Sequence, residues 1–342
     1  MLALELAPGA PEPRLFSRRN RGAVRLCLAL ALLAASPAVA SPPQLDMPVD
    51  CTLGETCFIQ NYVDRDPSPN ARDFTCATLT YDTHRGTDIA LFDMNAMHTG
   101  VTVHAAAPGT VTATRDGMPD ILASDPDAPD LTNRACGNAV IVDHGDGWET
   151  RYCHLKRGSL QVHSGDTVTP DSALAQVGLS GKTEFPHLHI AVRHDGKVID
   201  PFQPNASTCG TTGETLWKTP IPYTAGGLIA AGFSAAIPDF PTIKAGNAHS
   251  PTLPTTAPAF VLWAHVFGGR KGDALDMTIT GPRGTFLAQS IDLTRTQARL
   301  FRATGRNRKA DPWPPGAYTG TAILIRNGQE IDAITTTVTI AP

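Results

Sequence analysis

Three short clusters in this chain hold residue types that bind metal ions and move protons. His84-Arg85-Gly86-Thr87-Asp88 sets an imidazole and a carboxylate four positions apart. His187-Leu188-His189 sets two imidazoles two positions apart, and Tyr152-Cys153-His154-Leu155 adds a fifth group. Imidazole nitrogen and carboxylate oxygen both suit a borderline dication such as zinc, and three protein ligands leave a tetrahedral ion one open position for hydrolytic chemistry. Taken singly the clusters say little, because the chain has 11 histidines and polar strand faces or turns explain most of them. Spacing and company have to decide.

The spacing is that of strands. Residues i and i+2 of a strand project from one face, so His187 and His189 point into one place. Pro186 in front and Ile190 and Val192 behind support that assignment. Short β-branched or aromatic runs at 110–113, 138–143, 148–152, 167–168 and 187–192 are broken by Gly, Pro and Asp, which predicts a β-rich domain with tight turns. His144-Gly145-Asp146-Gly147 lies between two of these runs and contains the Asp-Gly pair of a hairpin turn, so one strand leads straight into Tyr152-Cys153-His154.

Together the three clusters, in the order H-x-x-x-D, Y-x-H-L and H-x-H, resemble the lysostaphin or LytM type of zinc metallopeptidase, a family of peptidoglycan endopeptidases. The similarity runs over about residues 81–202 and includes the small-residue segment 100–111, the run 137–145, Gly165-Asp166-Thr167-Val168, Gly178-Leu179-Ser180-Gly181 and Asp200-Pro201. Carried over by motif position, the resemblance makes His84, Asp88 and His189 the ligands of one zinc ion, with His154 and His187 as the unligated catalytic pair. Two departures stand out. Cys153 occupies a position where many members have a small residue, which adds a candidate disulfide. Lys182-Thr183-Glu184-Phe185 replaces the usual small, glycine-containing run before the proline, which predicts an altered substrate groove. Tyr81 lies only three residues before His84 and takes no assigned role.

The chain of 342 residues is about twice the length of an ordinary domain, which predicts two cores. Hydrophobic residues at 42% and charged residues at 18% exclude wholesale disorder, and 30 Gly with 29 Pro favour turns over long helices. Segment 210–258 is rich in Gly, Pro, Thr and Ala and reads as a linker, with a short helix over the apolar patch 228–237. Beyond it, Leu275, Met277 and Ile279 alternate with polar residues, as do Ile334, Thr336, Val338 and Ile340 with threonines, which predicts a small β-sandwich of immunoglobulin-like type at 259–342. The expected fold is therefore mainly β: an antiparallel-sheet metallopeptidase domain at 81–209, preceded by a disulfide-braced extension at 41–80 and followed by that sandwich. The extension reads either as part of the catalytic core or as an inhibitory segment over the groove.

Residues 1–40 carry five arginines, an apolar run at 26–35 and Ala38-Val39-Ala40, the pattern of a signal peptide cleaved after Ala40. The run is shorter than the roughly twenty residues a spanning helix needs, so no stable membrane span is expected after cleavage. Six cysteines remain beyond it, Cys51, Cys57, Cys76, Cys136, Cys153 and Cys209, an even count that predicts three disulfides in an oxidising compartment. Of the pairings, Cys51 with Cys57 closes a short loop and is locally reasonable. The net charge of −4 and the lack of basic runs after residue 25 argue against a nucleic-acid partner.

The resemblance and the export signal together predict a zinc endopeptidase of peptidoglycan in the periplasm of a Gram-negative bacterium, with secretion as the alternative. A non-catalytic cell-wall-binding or amidase-activating protein of the same fold is the rival, and a general secreted metalloprotease a third reading. The sequence leaves the oligomeric state open.

Overall fold

Alternation decides what faces what in this chain, and the computed structural model, which describes residues 41–206, 208–210 and 213–342, shows it strand by strand. The signal-peptide expectation, at 1–40, lies outside the described residues. The first part of the chain contributes β1 (Cys57–Asn61), β2 (Thr87–Leu91), helix α1 (Met94–Thr99), β3 (Thr102–His104), β4 (Gly109–Arg115), β5 (Asn138–Gly145), β6 (Trp148–Leu155), β7 (Thr167–Val168), β8 (Ala173–Gln176), β9 (His187–His194) and β10 (Lys197–Ile199). Strands β1-β2-β9-β6-β5-β4-β7 follow one another across an antiparallel sheet, with β10 added to β9.

One face of this sheet is sealed. Ile89 and Leu91 of β2, Leu188, Ile190 and Val192 of β9, and Val140 and Val142 of β5 all enter a single apolar core. With period two along each strand, burial of those residues sends Asp88, Ala90, His187 and His189 to the other face. The β5–β6 connection is the expected two-residue hairpin turn: Asp146 and Gly147 have φ of 50° and 81°, the paired positive values that a turn matching strand twist requires.

Segment 41–80 is built into this unit. β1 forms the sheet edge beside β2, and Leu45 and Tyr62 lie fully buried in the same core. Its three disulfide cysteines have different reach. Cys51 joins Cys57 across 6 positions, as the local spacing suggested, whereas Cys76 joins Cys209 across 133. Cys136 joins Cys153 across the β5–β6 hairpin.

The remainder of the chain forms β11 (Gly227–Ser234), helix α2 (Phe240–Ala245), β12 (Thr252–Pro254), β13 (Ala259–Gly269), β14 (Ala274–Gly281), β15 (Gly284–Asp292), β16 (Gln297–Asn307), β17 (Gly316–Arg326) and β18 (Gln329–Ala341). Sheet β11-β13-β16 faces sheet β12-β18-β17-β14-β15, and Phe233, Leu262, Val266, Leu275, Met277, Ile279, Leu324 and Ile340 from both fill one core. The alternating residues of β14 point inward as their pattern required. The apolar patch expected as a short helix is instead strand β11, paired antiparallel with β13. A continuous apolar run fits a strand buried on both faces as well as a helix, and here the open edge of β13 supplies the hydrogen bonds that decide between them.

Loop-closure entropy predicts that the disulfides differ in worth. Replacing Cys76 and Cys209 together by serine should lower unfolding free energy by about 3–5 kcal/mol, roughly twice the loss from replacing Cys51 and Cys57. Denaturant unfolding of the oxidised variants measures both, and equal losses would contradict the entropic account.

Candidate metal centre

Registration across three neighbouring strands assembles the site. Asp88 of β2 sits opposite His189 of β9, and His189 sits opposite Cys153 of β6, the residue before His154. His84 comes from the loop entering β2, four residues before Asp88. All five residues singled out by sequence therefore meet in one place.

The contacts are short. Asp88 Oδ1 lies 3.1 Å from His84 Nε2, 2.8 Å from His189 Nδ1 and 3.4 Å from His187 Nε2. His84 Nε2 and His189 Nδ1 are 3.2 Å apart. Ligand bonds of about 2.0–2.1 Å at tetrahedral angles put donor atoms roughly 3.3 Å from one another. The trio His84, Asp88 and His189 thus has the donor chemistry and spacing that fit a zinc ion. A second trio, His154, His187 and His189, also brings its donor atoms together, but it lacks a carboxylate and draws on the same His189.

Backbone carbonyls set the ring orientations. His84 Nδ1 donates to the Tyr62 carbonyl at 2.7 Å, which leaves Nε2 as the lone pair facing Asp88. His154 Nδ1 donates to the Ser180 carbonyl at 2.7 Å, and His187 Nδ1 meets the Phe185 carbonyl at 2.9 Å and Thr183 Oγ1 at 3.1 Å. With Nδ1 so engaged, each ring is left to offer Nε2, that of His187 lying 3.4 Å from Asp88 Oδ1, and their centroids are 4.6 Å apart. His154 holds a φ of 62°, an uncommon value for a side-chain-bearing residue, and its own N–H donates to the Cys136 carbonyl at 2.8 Å. The Cys136–Cys153 disulfide thus brackets His154, so the cysteine that departs from the family pattern does have a partner.

Electrostatics keep Asp88, His154 and His189 in the form that can bind a metal. Burial pushes the Asp88 carboxyl up, but His84 and His187 around it outweigh this and hold it well below the usual carboxylate range. Burial, with His187 and His189 nearby, drives His154 well down, so it carries a lone pair rather than a charge. His189 is also lowered by burial against the pull of Asp88. For His84 the balance runs the other way: burial lowers it, yet Asp88 leaves it raised.

Several supports were invisible in the sequence. Asn61 Nδ2 donates to Asp88 Oδ2 at 2.8 Å, fixing the oxygen that does not face the histidines. Gly86, between His84 and Asp88, leaves space where a Cβ would come within 2.5 Å of His189 Nε2. Its position inside H-x-G-x-D was the one available hint. Tyr81, assigned no role, lays its ring 4.4 Å from that of His84. The departing run 182–185 supplies both Thr183 and the Phe185 ring, stacked 4.4 Å from His187.

Comparison with known proteins follows the same residues. Peptidoglycan DD-endopeptidase ShyA of Vibrio cholerae is 27% identical over 122 residues, 36% of this chain and 23% of that protein. DD-carboxypeptidase/endopeptidase Mpg of Neisseria meningitidis is 32% identical over 106 residues, 31% of this chain and 22% of the relative. The chain therefore spans less than a quarter of the length of either. A zinc-containing peptidase from Vibrio cholerae of known structure aligns over 41% of this chain and 38% of its own, at 23% identity and a TM-score of 0.27. The profile of Peptidase family M23 matches residues 82–201, a span that starts just before His84 and ends just after β10. Over that span, which holds the Asp88–His189 register and every histidine around it, the chain is similar to Peptidase family M23.

Proposed function

We propose that the chain is an exported zinc-dependent endopeptidase that cleaves peptide cross-links or stem peptides of peptidoglycan. The observation that carries this is the convergence of His84 Nε2, Asp88 Oδ1 and His189 Nδ1 within 2.8–3.2 Å, with two further imidazoles beside them. When bound there, zinc would supply Lewis acidity, polarising a peptide carbonyl and making water a competent nucleophile near neutral pH.

The protein's own groups do the rest. His84, Asp88 and His189 hold the ion, and Asn61 and the Tyr62 carbonyl hold Asp88 and His84 in turn. His154, neutral because it is buried, offers Nε2 to take a proton from the attacking water. His154 would pass that proton on to the leaving amine, and His187, held at Nδ1 by Phe185 and Thr183, would donate to the developing oxyanion from Nε2 when that nitrogen carries a proton. Peptidoglycan as substrate is supported by ShyA, named a peptidoglycan DD-endopeptidase. Export is supported by three disulfides, which need an oxidising compartment such as the Gram-negative periplasm. Among the described residues no helix is long and apolar enough to cross a membrane. We assign the chemistry to 81–209, with 41–80 as an extension of its core rather than an inhibitory cover, because β1 is an edge strand of the same sheet.

Three outcomes test this. Zinc content by mass spectrometry should fall to background in His189→Ala and Asp88→Asn, whereas His154→Ala should keep one zinc per chain and lose at least about 100-fold in rate. Gly86→Ala should push His189 aside and weaken zinc binding by about 10–100-fold in a competition assay with a chelating dye, without unfolding the chain. Residues 41–342, zinc-loaded, should release new stem-peptide or cross-link fragments from isolated Gram-negative wall that a His189→Ala control does not. Confirmed zinc with no products from either would instead favour the wall-binding or amidase-activating reading, and digestion of casein alone the general protease.

A further inference from the structure

The C-terminal sandwich packs on the face of the eight-stranded sheet that carries the candidate metal centre. Phe58 of β1 and Ala90 of β2 share a buried cluster with Ile229 of β11 and Phe267 of β13, and Phe185 packs against it. Ala90 lies opposite His187 in the β2–β9 register, so this cluster adjoins the site. The start of β16, with Arg299, is seated beside it.

Phe185 holds His187 in two ways. Its carbonyl lies 2.9 Å from His187 Nδ1, and because a carbonyl only accepts, that nitrogen carries the hydrogen. Its ring stacks on the imidazole, with centroids 4.4 Å apart and planes 29° apart. The first contact selects the tautomer and the second the tilt of the ring. Thr183 Oγ1 donates to the same carbonyl at 2.8 Å and steadies the backbone from within the loop. The ring is gripped from outside the loop: the Arg299 guanidinium lies over it, 4.0 Å from its centroid.

Arg299 is itself fixed. Its Nε donates to Gln60 Oε1 at 2.7 Å, Gln60 Nε2 donates to the Ala298 carbonyl at 3.1 Å, and the guanidinium lies 5.3 Å from the centroid of Phe58. Burial pushes the guanidinium pKa down to about 9 while Asp88 acts against that fall, so the group is a cation at neutral pH. A guanidinium stacks its plane on an aromatic face, and the attraction of a cation for that face is strongest where water is excluded. Methionine would fill a similar length without the cost of burying a charge, so packing alone does not account for an arginine here.

We propose that Arg299 is a positioning residue: from the C-terminal sandwich it clamps the Phe185 ring and thereby sets the orientation of His187. This rests on the peptidase reading, in which His187 donates to the developing oxyanion, and it gives the sandwich a part in that step. The run 182–185, which departs from the family pattern, is the piece that receives the clamp.

Nitrogen-15 correlation spectra of the zinc-loaded 41–342 chain, labelled at histidine, read the His187 ring directly, with its resonances assigned by their loss in His187→Gln. Arg299→Met should shift both ring nitrogens of His187 and leave those of His144 and His163, which bond elsewhere, in place. Arg299→Lys, which keeps a cation at the ring, should recover at least half of the shift. Phe185→Leu should move the same resonances, and Arg299→Met added to Phe185→Leu should move them no further, because the clamp then has nothing to hold. Unchanged His187 resonances in Arg299→Met, equal displacement of His144 and His163, or a full further shift in the double variant would each overturn the assignment. If Arg299→Met does not fold, Arg299→Lys carries the test: its smaller shift must likewise be confined to His187 and vanish in the Phe185→Leu background, or the assignment falls. On cross-linked muropeptide, Arg299→Met should lower kcat by about tenfold or more, with KM within about twofold and zinc retained. A loss expressed in KM, or a loss of zinc, would place Arg299 in binding or folding instead. Because the spectra need no turnover, a chain inactive on wall peptides whose His187 still answers to Arg299 would sink the peptidase reading alone, and an active chain whose His187 does not answer would sink Arg299 alone.

Discussion

The pairing of Asp88 with His189 across β2 and β9 is the constraint on which the rest of the structure depends. A slip of one residue would turn Leu188 and Ile190 outward and His189 into the apolar core, so the register that fills the core is the register that builds the centre. Selection for a sealed face therefore also holds the donors together. The same logic runs to β6, where Cys153 opposite His189 fixes how far His154 can stand from His84, Asp88 and His189.

Much of this was legible because it is local. The H-x-H pair gave its own strand, Asp146-Gly147 its own turn, and Leu275, Met277 and Ile279 their inward face, each from a period or a dihedral preference written within eight residues. The five candidate residues were singled out through motif order, and the structure brings all five together. The partners that hold them were not. Nothing near Asn61 announces that its amide will meet a carboxylate 27 positions on, and nothing near Cys76 selects Cys209. These depend on strand order, which is a long-range property. The run that became β11 failed for a related reason: its period is ambiguous until the open edge of β13 is known.

Buried polar groups divide by whether the fold alone satisfies them. Arg326 with Asp273 is largely closed on itself: both carboxylate oxygens accept from the guanidinium, and two carbonyls take two more of its hydrogens. Such a pair adds little net stability but penalises any packing that separates its members. Asp88 is the opposite case. Its three imidazole neighbours each present nitrogen to one oxygen, an arrangement that protein hydrogen bonding satisfies poorly and a dication satisfies well. Donor sets of this kind are recognisable because they are unfavourable without what they bind.

The same reasoning bears on why a sandwich should be attached to this sheet at all. A tethered module needs only a linker, yet here Phe58, Ala90, Ile229 and Phe267 bury one another, and Gln60 bonds both to the backbone and to a side chain of β16. An interface that binds the edge strand β1 acts on the strand whose Asn61 steadies Asp88, so movement of the sandwich cannot be independent of the centre. Contact through aromatic rings adds direction: Arg299 packs on Phe185, and Phe185 on His187. The second half of the chain is then part of the surroundings of the site, and segment 82–201 is incomplete when described by its own motifs.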